Sequence, residues 1–296
     1  QSQKDEVDKM AKLICMRGLP ASGKSTRAQQ IVSQNNDWVR INRDLLRTML
    51  HFDIWNRNKE TITVDVAHMI AEDLLSEGLN IVIDDTNLNP KVMNGWKIFA
   101  ETRHADFEII DMNTSMEECL RRDYDREKPV GRHVIVGMAL QYDLYPKPKK
   151  GFVLCDIDGT LANVKHRLHF VRQDPKDWDS FHGAMMNDTV REDVWSMINE
   201  YRNDGYHVIF VSGRPDNYRK NTEYWLEDSC RFIKPVVFMR QGNDHRPDTI
   251  VKEQMLKTYF HDTTLIHHVV DDRPSVIAMW RSHGLTVVDV GDQIEF

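Results

Sequence analysis

Gly18-Leu19-Pro20-Ala21-Ser22-Gly23-Lys24-Ser25 stands between the apolar run Lys12-Leu13-Ile14-Cys15-Met16 and the segment Thr26-Arg27-Ala28-Gln29-Gln30-Ile31-Val32. The stretch fits the phosphate-loop pattern G-x-x-x-x-G-K-[ST] without a gap, and its flanks predict a buried strand before it and a helix after it. That order turns the loop's backbone N–H groups inward around a polyphosphate, and the helix N-terminus adds partial positive charge. Gly18, Ser22, Gly23 and Thr26 then belong to the phosphate cradle. Lys24 reaches the β- and γ-phosphates of ATP or another nucleoside triphosphate, and the Ser25 hydroxyl is a candidate Mg²⁺ ligand.

Outward from the loop, strands and helices alternate. Trp38-Val39-Arg40-Ile41, Asn80 to Asp85 and Phe107 to Asp111 read as strands; residues 62–75, 90–102 and 116–124 read as helices. Alternation of this kind predicts an α/β fold, a mainly parallel sheet flanked by helices, with ligands beyond the C-terminal strand ends. The loop, Asp44, and Asp85 with Asn87 all fall at that edge. Asn42 is a candidate helix cap, placing Asp44 in the first turn and Arg47 one turn on. Arg121, Arg122 and Arg126 close a later helix. A basic cluster is commonly a solvated face; behind a phosphate loop the same position suits a lid, with Arg126 presented to the transferring phosphoryl group.

Tyr145-Pro146-Lys147-Pro148-Lys149-Lys150-Gly151 breaks the alternation as a stiff, charged connector. The expected organisation is a tail over 1–11, a first domain over 12–145, a linker over 146–151 and a second domain over 152–296. The second half restarts with the buried run Phe152-Val153-Leu154-Cys155, leading into Asp156-Ile157-Asp158-Gly159-Thr160. Two acids one residue apart at a strand end suit phosphoryl chemistry. Asp156 can attack phosphorus, and Asp158 can protonate the leaving oxygen and then activate water. A Mg²⁺ held between Asp156 and Asp158 would shield carboxylate from phosphate. Three later signals keep the same order: Ser212 after the apolar run His207 to Val211, Lys252 in a helix after Pro247-Asp248-Thr249, and Asp271-Asp272 after His268-Val269-Val270. Ser212 and Lys252 suit phosphate contact; Asp271 and Asp272 supply further metal carboxylates.

Length and composition bound the rest. At 296 residues, with 41% hydrophobic and 29% charged residues, the chain suits two ordinary globular domains. No stretch is apolar enough for a membrane span, and the polar start lacks the apolar core of a signal peptide. Cys15, Cys119, Cys155 and Cys230 are scattered without ligand spacing, as in a reducing, cytoplasmic setting (the host's, for a viral protein). The formal net charge of −7 argues against a broad nucleic-acid surface. His166, His169, His182, His267 and His268 lack a clean metal spacing and read as ordinary residues. Trp178 and Phe181 read as packing a small substructure rather than stacking on bases.

With both halves read, the chain resembles the phage-type bifunctional polynucleotide 5′-kinase/3′-phosphatases, over about Lys12 to Asp289. The kinase half carries the resemblance through Gly18 to Thr26, Ile41-Asn42-Arg43-Asp44 with Arg47, Asp85-Thr86-Asn87-Leu88-Asn89-Pro90 and Arg126. The second half resembles the haloacid dehalogenase superfamily through Asp156, Asp158, Arg167, Ser212, Arg214, Asp248, Lys252, Asp271 and Asp272. The resemblance implies a P-loop kinase fold followed by a Rossmann-like phosphatase fold. It makes Asp44 the base and Arg47 the contact to the acceptor phosphate, with Asp85 supporting that contact. It sets Arg167 and Arg214 on a nucleic-acid phosphate and implies a homo-oligomer. Residues 163–188 exceed the family's expected length; folded as a cap, they would restrict that site to small substrates.

The expected function is nucleic-acid end repair: phosphorylation of 5′-hydroxyl termini and removal of 3′-phosphates from RNA or DNA. A small-metabolite kinase fused to a small-molecule phosphatase uses the same motifs. A nucleotide-gated scaffold is disfavoured by the full set of reactive residues.

Overall fold

The computed structural model describes residues 10–292. Apart from Met10 and Ala11, the expected N-terminal tail lies outside the described residues. The chain divides into two compact units, up to Gly131 and from Arg132 onward.

The first unit runs β1 (Lys12–Arg17), α1 (Lys24–Gln34), β2 (Trp38–Ile41), α2 (Arg43–His51), α3 (Arg57–Ser76), β3 (Asn80–Ile83), α4 (Pro90–Glu101), β4 (Asp106–Asp111) and α5 (Met116–Tyr124). Its strands pair in parallel in the order β2-β3-β1-β4. The strand alternation sorts the core. Leu13, Cys15, Ile81 and Ile83 face Ala67, Ala71 and Leu75 of α3 and Met93, Trp96 and Phe99 of α4. Ile14, Met16 and Val82 face the other way, with Ala28 of α1. In α3 the buried residues Thr63, Ala67, Ala71 and Leu75 repeat every fourth position, a narrow stripe of mostly small side chains that brings the helix close to the sheet.

The second unit contains α6 (Arg132–Gln141), β5 (Phe152–Cys155), β6 (Ala162–Asn163), α7 (His169–Arg172), α8 (Trp178–Gly183), β7 (Thr189–Val190), α9 (Glu192–Asn203), β8 (His207–Pro215), α10 (Arg219–Asp228), β9 (Val237–Arg240), α11 (Asp248–Tyr259), β10 (Ile266–Asp271), α12 (Pro274–Ser282) and β11 (Val287–Asp289). A parallel sheet ordered β11-β10-β5-β8-β9 forms its centre; β6 and β7 pair as a short antiparallel ribbon. Val153, Cys155, Phe210, Val237 and Val270 pack with Val194 and Ile198 of α9 and Trp225 and Leu226 of α10.

The expected linker at 146–151 is irregular backbone, yet compactness divides the chain earlier. The reason is α6: Ile135, Val136, Ala139 and Leu140 are buried, and Gly137 lies against Tyr259 and Phe238 of the second unit. All four cysteines are buried and free. No helix among the described residues is long and apolar enough to cross a membrane.

Candidate active sites

In the first unit the loop between β1 and α1 closes at Gly23, whose left-handed φ of 98° favours a residue without a β-carbon. Lys24 is buried and donates from Nζ to the carbonyls of Gly18 (3.0 Å) and Leu19 (2.7 Å). Burial lowers its pKa, while the charges of Asp84, Asp44 and Asp85 favour the ammonium. Those three acids therefore lie within electrostatic reach of the loop. Ser25 and Thr26 are exposed in the first turn of α1. Thr114, not anticipated from the sequence, donates to the Ser22 carbonyl at 2.8 Å and ties the loop to the segment after β4.

Asn42 caps α2 as expected, its Oδ1 accepting from Leu45 N at 2.9 Å. Asp44 is exposed, and Arg47 donates to it from Nη1 at 2.6 Å. The other edge of Arg47 is held by Glu60 on α3, at 2.9 Å from Nε and 3.1 Å from Nη2. Glu60 therefore supports Arg47, a role the sequence reading gave to Asp85. Asp85 instead accepts from Arg43, at 3.0 Å from its backbone N and 2.6 Å from Nε. Burial raises the Asp85 carboxyl against the pull of Arg43.

Asn87 also departs from expectation. It is 2% exposed, and its amide donates to the Met16 carbonyl at 2.8 Å; it fastens the loop after β3 to β1. Arg126, the expected lid residue, points to Asp123 at 3.5 Å. Arg122 is the arginine that leans on the loop, 3.4 Å from the Ser22 carbonyl and braced by Glu118 at 2.7 Å. Asp123 accepts from the backbone N–H groups of Val130 and Gly131, which fixes the turn carrying Arg126.

In the second unit Asp156, Asp271 and Asp272 bring ligand oxygens within 4.8 Å of one another. Lys252 donates to Asp156 at 2.7 Å and to Asp271 at 2.9 Å. Thr160 bridges Asp156 (3.3 Å) and Asp272 (2.8 Å), and a β-carbon on Gly159 would overlap the Asp272 carboxylate. Burial pushes the Asp156 carboxyl up, Lys252 pulls it down, and Asp271 and Asp272 push it up again. Asp272 is raised to about 6 by burial and Asp271. Lys252 keeps its charge, because Asp156 and Asp271 outweigh its burial. Three buried carboxylates face two cations, the Lys252 ammonium and the Arg273 guanidinium. This all-oxygen donor set fits a hard divalent cation.

Asp158, expected beside Asp156 as a metal ligand, lies outside that group, because two arginines occupy its carboxylate. Its carboxylate accepts from Arg214 Nη2 at 2.6 Å and Arg167 Nη2 at 2.5 Å. Burial opposes its charge, but the two guanidinium groups win and hold it well below the usual carboxylate range. Arg167 and Arg214 are both fully buried, and both also bond Asp188, which the sequence reading missed. They therefore clamp Asp158 rather than reaching out to a nucleic-acid phosphate. Ser212 is buried, its Oγ accepting from Arg214 N at 3.2 Å. Asp248 is engaged by Arg240 and by Arg273, the latter at 2.8 Å.

A cavity of about 450 Å³ is shared by Asp156, Asp158, Lys252 and Asp271 with Trp178, His182 and Tyr218. Residues 163–188 thus supply one wall of it. Phe181 is buried under the Arg167 guanidinium, 4.0 Å from its ring, in line with the packing role expected for it. Trp178, assigned the same role, is 43% exposed and lines the cavity. Burial lowers the His182 imidazole to about 4, keeping it neutral.

Comparison with known proteins adds two domain matches. Residues 150–294 match the family model described as the polynucleotide kinase PNKP phosphatase domain, and residues 13–144 match one described as an AAA domain. The chain is 27% identical over 312 residues to the "Putative bifunctional polynucleotide kinase/RNA ligase" of Autographa californica nuclear polyhedrosis virus, a match covering 96% of this chain and 43% of the relative. The chain therefore spans less than half the length of that curated relative. Among solved structures, a chain from the Pnkp1/Rnl/Hen1 RNA repair complex is 25% identical, covering 98% of this chain and all of its own, with a TM-score of 0.43. An APS kinase from Mycobacterium tuberculosis is 20% identical over 39% of this chain and 70% of its own, with a TM-score of 0.33.

Proposed function

We propose, for a chain that belongs through its two halves to the P-loop AAA-type domains and the polynucleotide-kinase phosphatases, that it heals nucleic-acid ends. The first unit transfers the γ-phosphate of ATP or another nucleoside triphosphate to a 5′-hydroxyl terminus. The second removes a 3′-phosphate. The products, 5′-phosphate and 3′-hydroxyl, are the ends that a joining reaction requires. One observation carries the reading: the polynucleotide-kinase phosphatase match falls on a buried aspartate cluster, and a phosphate loop with a buried lysine precedes it on the same chain.

In the kinase reaction the loop's N–H groups and Lys24 hold the phosphates and stabilise charge as it shifts to the leaving oxygen. Asp44, exposed at the start of α2, accepts the proton of the attacking 5′-hydroxyl. Arg47 holds a phosphate of the acceptor strand with the donors that Asp44 and Glu60 leave over.

In the phosphatase reaction Asp156 attacks the 3′-phosphate, the bond to the 3′-oxygen breaks, and an aspartyl-phosphate forms. Lys252 and Thr160 hold the attacking carboxylate. Asp158 must take up a proton as substrate binds and the Arg167–Arg214 clamp opens. It gives that proton to the departing 3′-oxygen, then takes one from the water that attacks phosphorus; the bond from phosphorus to Asp156 breaks, and inorganic phosphate leaves. Ser25 in the first site, and Asp156, Asp271 and Asp272 in the second, would hold Mg²⁺. Bound there, it supplies charge neutralisation around phosphate. The substrates are RNA or DNA termini, and the family resemblance extends the proposal to a homo-oligomer.

The test is paired. Lys24→Ala should abolish 5′-phosphorylation of a labelled oligonucleotide and leave 3′-phosphate release intact; Asp156→Asn should do the reverse. Loss of both activities in either folded variant would refute two independent sites.

A further inference from the structure

Away from the aspartate cluster, several of the cavity's charged groups are paired within the protein. Arg240 and Arg273 hold Asp248, and Arg246 holds Asp244 at 2.7 Å. Beside these the cavity offers an aromatic surface, the Trp178 indole, with Lys176 Nζ 5.6 Å from its ring centroid. Trp178 presents an indole 43% exposed, though the next aromatic on the same helix, Phe181, is buried. The indole is firmly set. It lies nearly parallel to His182, with centroids 6.0 Å apart at 22°, and edge-on to Phe181 at 5.8 Å and 88°. Tyr218 packs against His182 from another segment at 5.4 Å. His182 is itself 8% exposed, and its Nδ1 has no hydrogen-bond partner among the described residues.

From this geometry we infer that Trp178, backed by His182 and Tyr218, is a stacking platform for the base that bears the scissile phosphate. It makes the second site selective for a 3′-phosphate carried on a base-bearing nucleotide. This rests on the phosphatase reading above and deepens it. The cavity volume of about 450 Å³ is large enough for one nucleotide. A π-face accepts any base, so the platform reads that a base is present rather than which one. A pre-set aromatic ring also loses little freedom on binding.

The test compares single-stranded oligonucleotides that end in a 3′-phosphate on a normal nucleotide or on an abasic one. Wild type, Trp178→Ala and Trp178→Phe are assayed for kcat and KM on each. Trp178→Ala should raise KM for the base-bearing end about 5- to 150-fold, the effect of losing one base stacked on an aromatic ring. The abasic end should be unaffected, and Trp178→Phe should retain most of the wild-type preference. Equal losses on both ends would make Trp178 structural and overturn the inference, as would no change on either. If wild type hydrolyses both ends with the same KM, the phosphatase reading stands and the platform falls. If it hydrolyses neither, both fail.

Discussion

Asp188 offers a severe test of how the second unit is built. Its side chain is fully buried. It accepts from Arg167 Nε at 2.7 Å, Arg167 Nη2 at 2.6 Å, Arg214 Nη2 at 3.1 Å and His166 Nε2 at 2.8 Å. With Asp158 it balances two fully buried guanidinium groups, two negative charges against two positive. Asp188→Asn keeps the shape but removes one anion, stranding a buried cation and turning one of the two acceptor oxygens into an NH2 donor that faces Arg167. Breaking one partner out of a buried ion pair costs roughly 3–5 kcal/mol. For a unit of this size each kcal/mol moves the melting temperature by about 2–4 °C, so the expected fall is about 6–20 °C. Calorimetry on the whole chain should show this fall, with 5′-phosphorylation retained below the transition as an internal control. Phosphate release should also drop, because Asp158 would lose the partners that orient its clamp. A melting temperature within about 2 °C of wild type would refute the claim that the four-residue cluster is a closed buried network.

In the kinase unit, Arg122→Ala should lower kcat for 5′-phosphorylation at least tenfold, because Arg122 is the residue against the Ser22 carbonyl, and Arg126→Ala should cost less; steady-state kinetics with the reverse order would restore Arg126 as the lid residue. Asp44→Asn should remove most of kcat with little change in nucleotide affinity. Arg47→Ala should abolish the preference for a nucleoside 3′-monophosphate over the bare nucleoside, and equal wild-type rates on those two acceptors would count against Arg47 as a phosphate contact.

The parts legible in the sequence are those whose partners are close along the chain. The phosphate loop carries its strand, glycines and lysine in one stretch. Asn42 caps the helix it precedes, and Asp156 follows the apolar run that buries it. What escaped reading depends on partners from elsewhere. Arg167 and Arg214 look like phosphate ligands until Asp188, 21 residues beyond Arg167, is folded in to join them. Arg47 takes its brace from Glu60, 13 residues on in another helix. Asn87 carries a polar side chain at the substrate edge of the sheet, but its left-handed φ of 48° turns the amide back onto Met16. Trp178 and Phe181 share a short apolar spacing, and no periodicity tells that one ring goes under Arg167 and the other stays in the cavity wall. The aspartate pair shows the limit most sharply. Asp156 and Asp158 are the same residue type two positions apart, and the sequence gives both a place near metal and phosphate. The fold separates them: Lys252 and Thr160 hold Asp156 among carboxylates that push its pKa up, while two arginines hold Asp158 as a firm anion. The opposite environments of the two carboxylates are thus set mainly by residues that lie elsewhere along the chain, Lys252, Asp271 and Asp272 for Asp156 and Arg167 and Arg214 for Asp158.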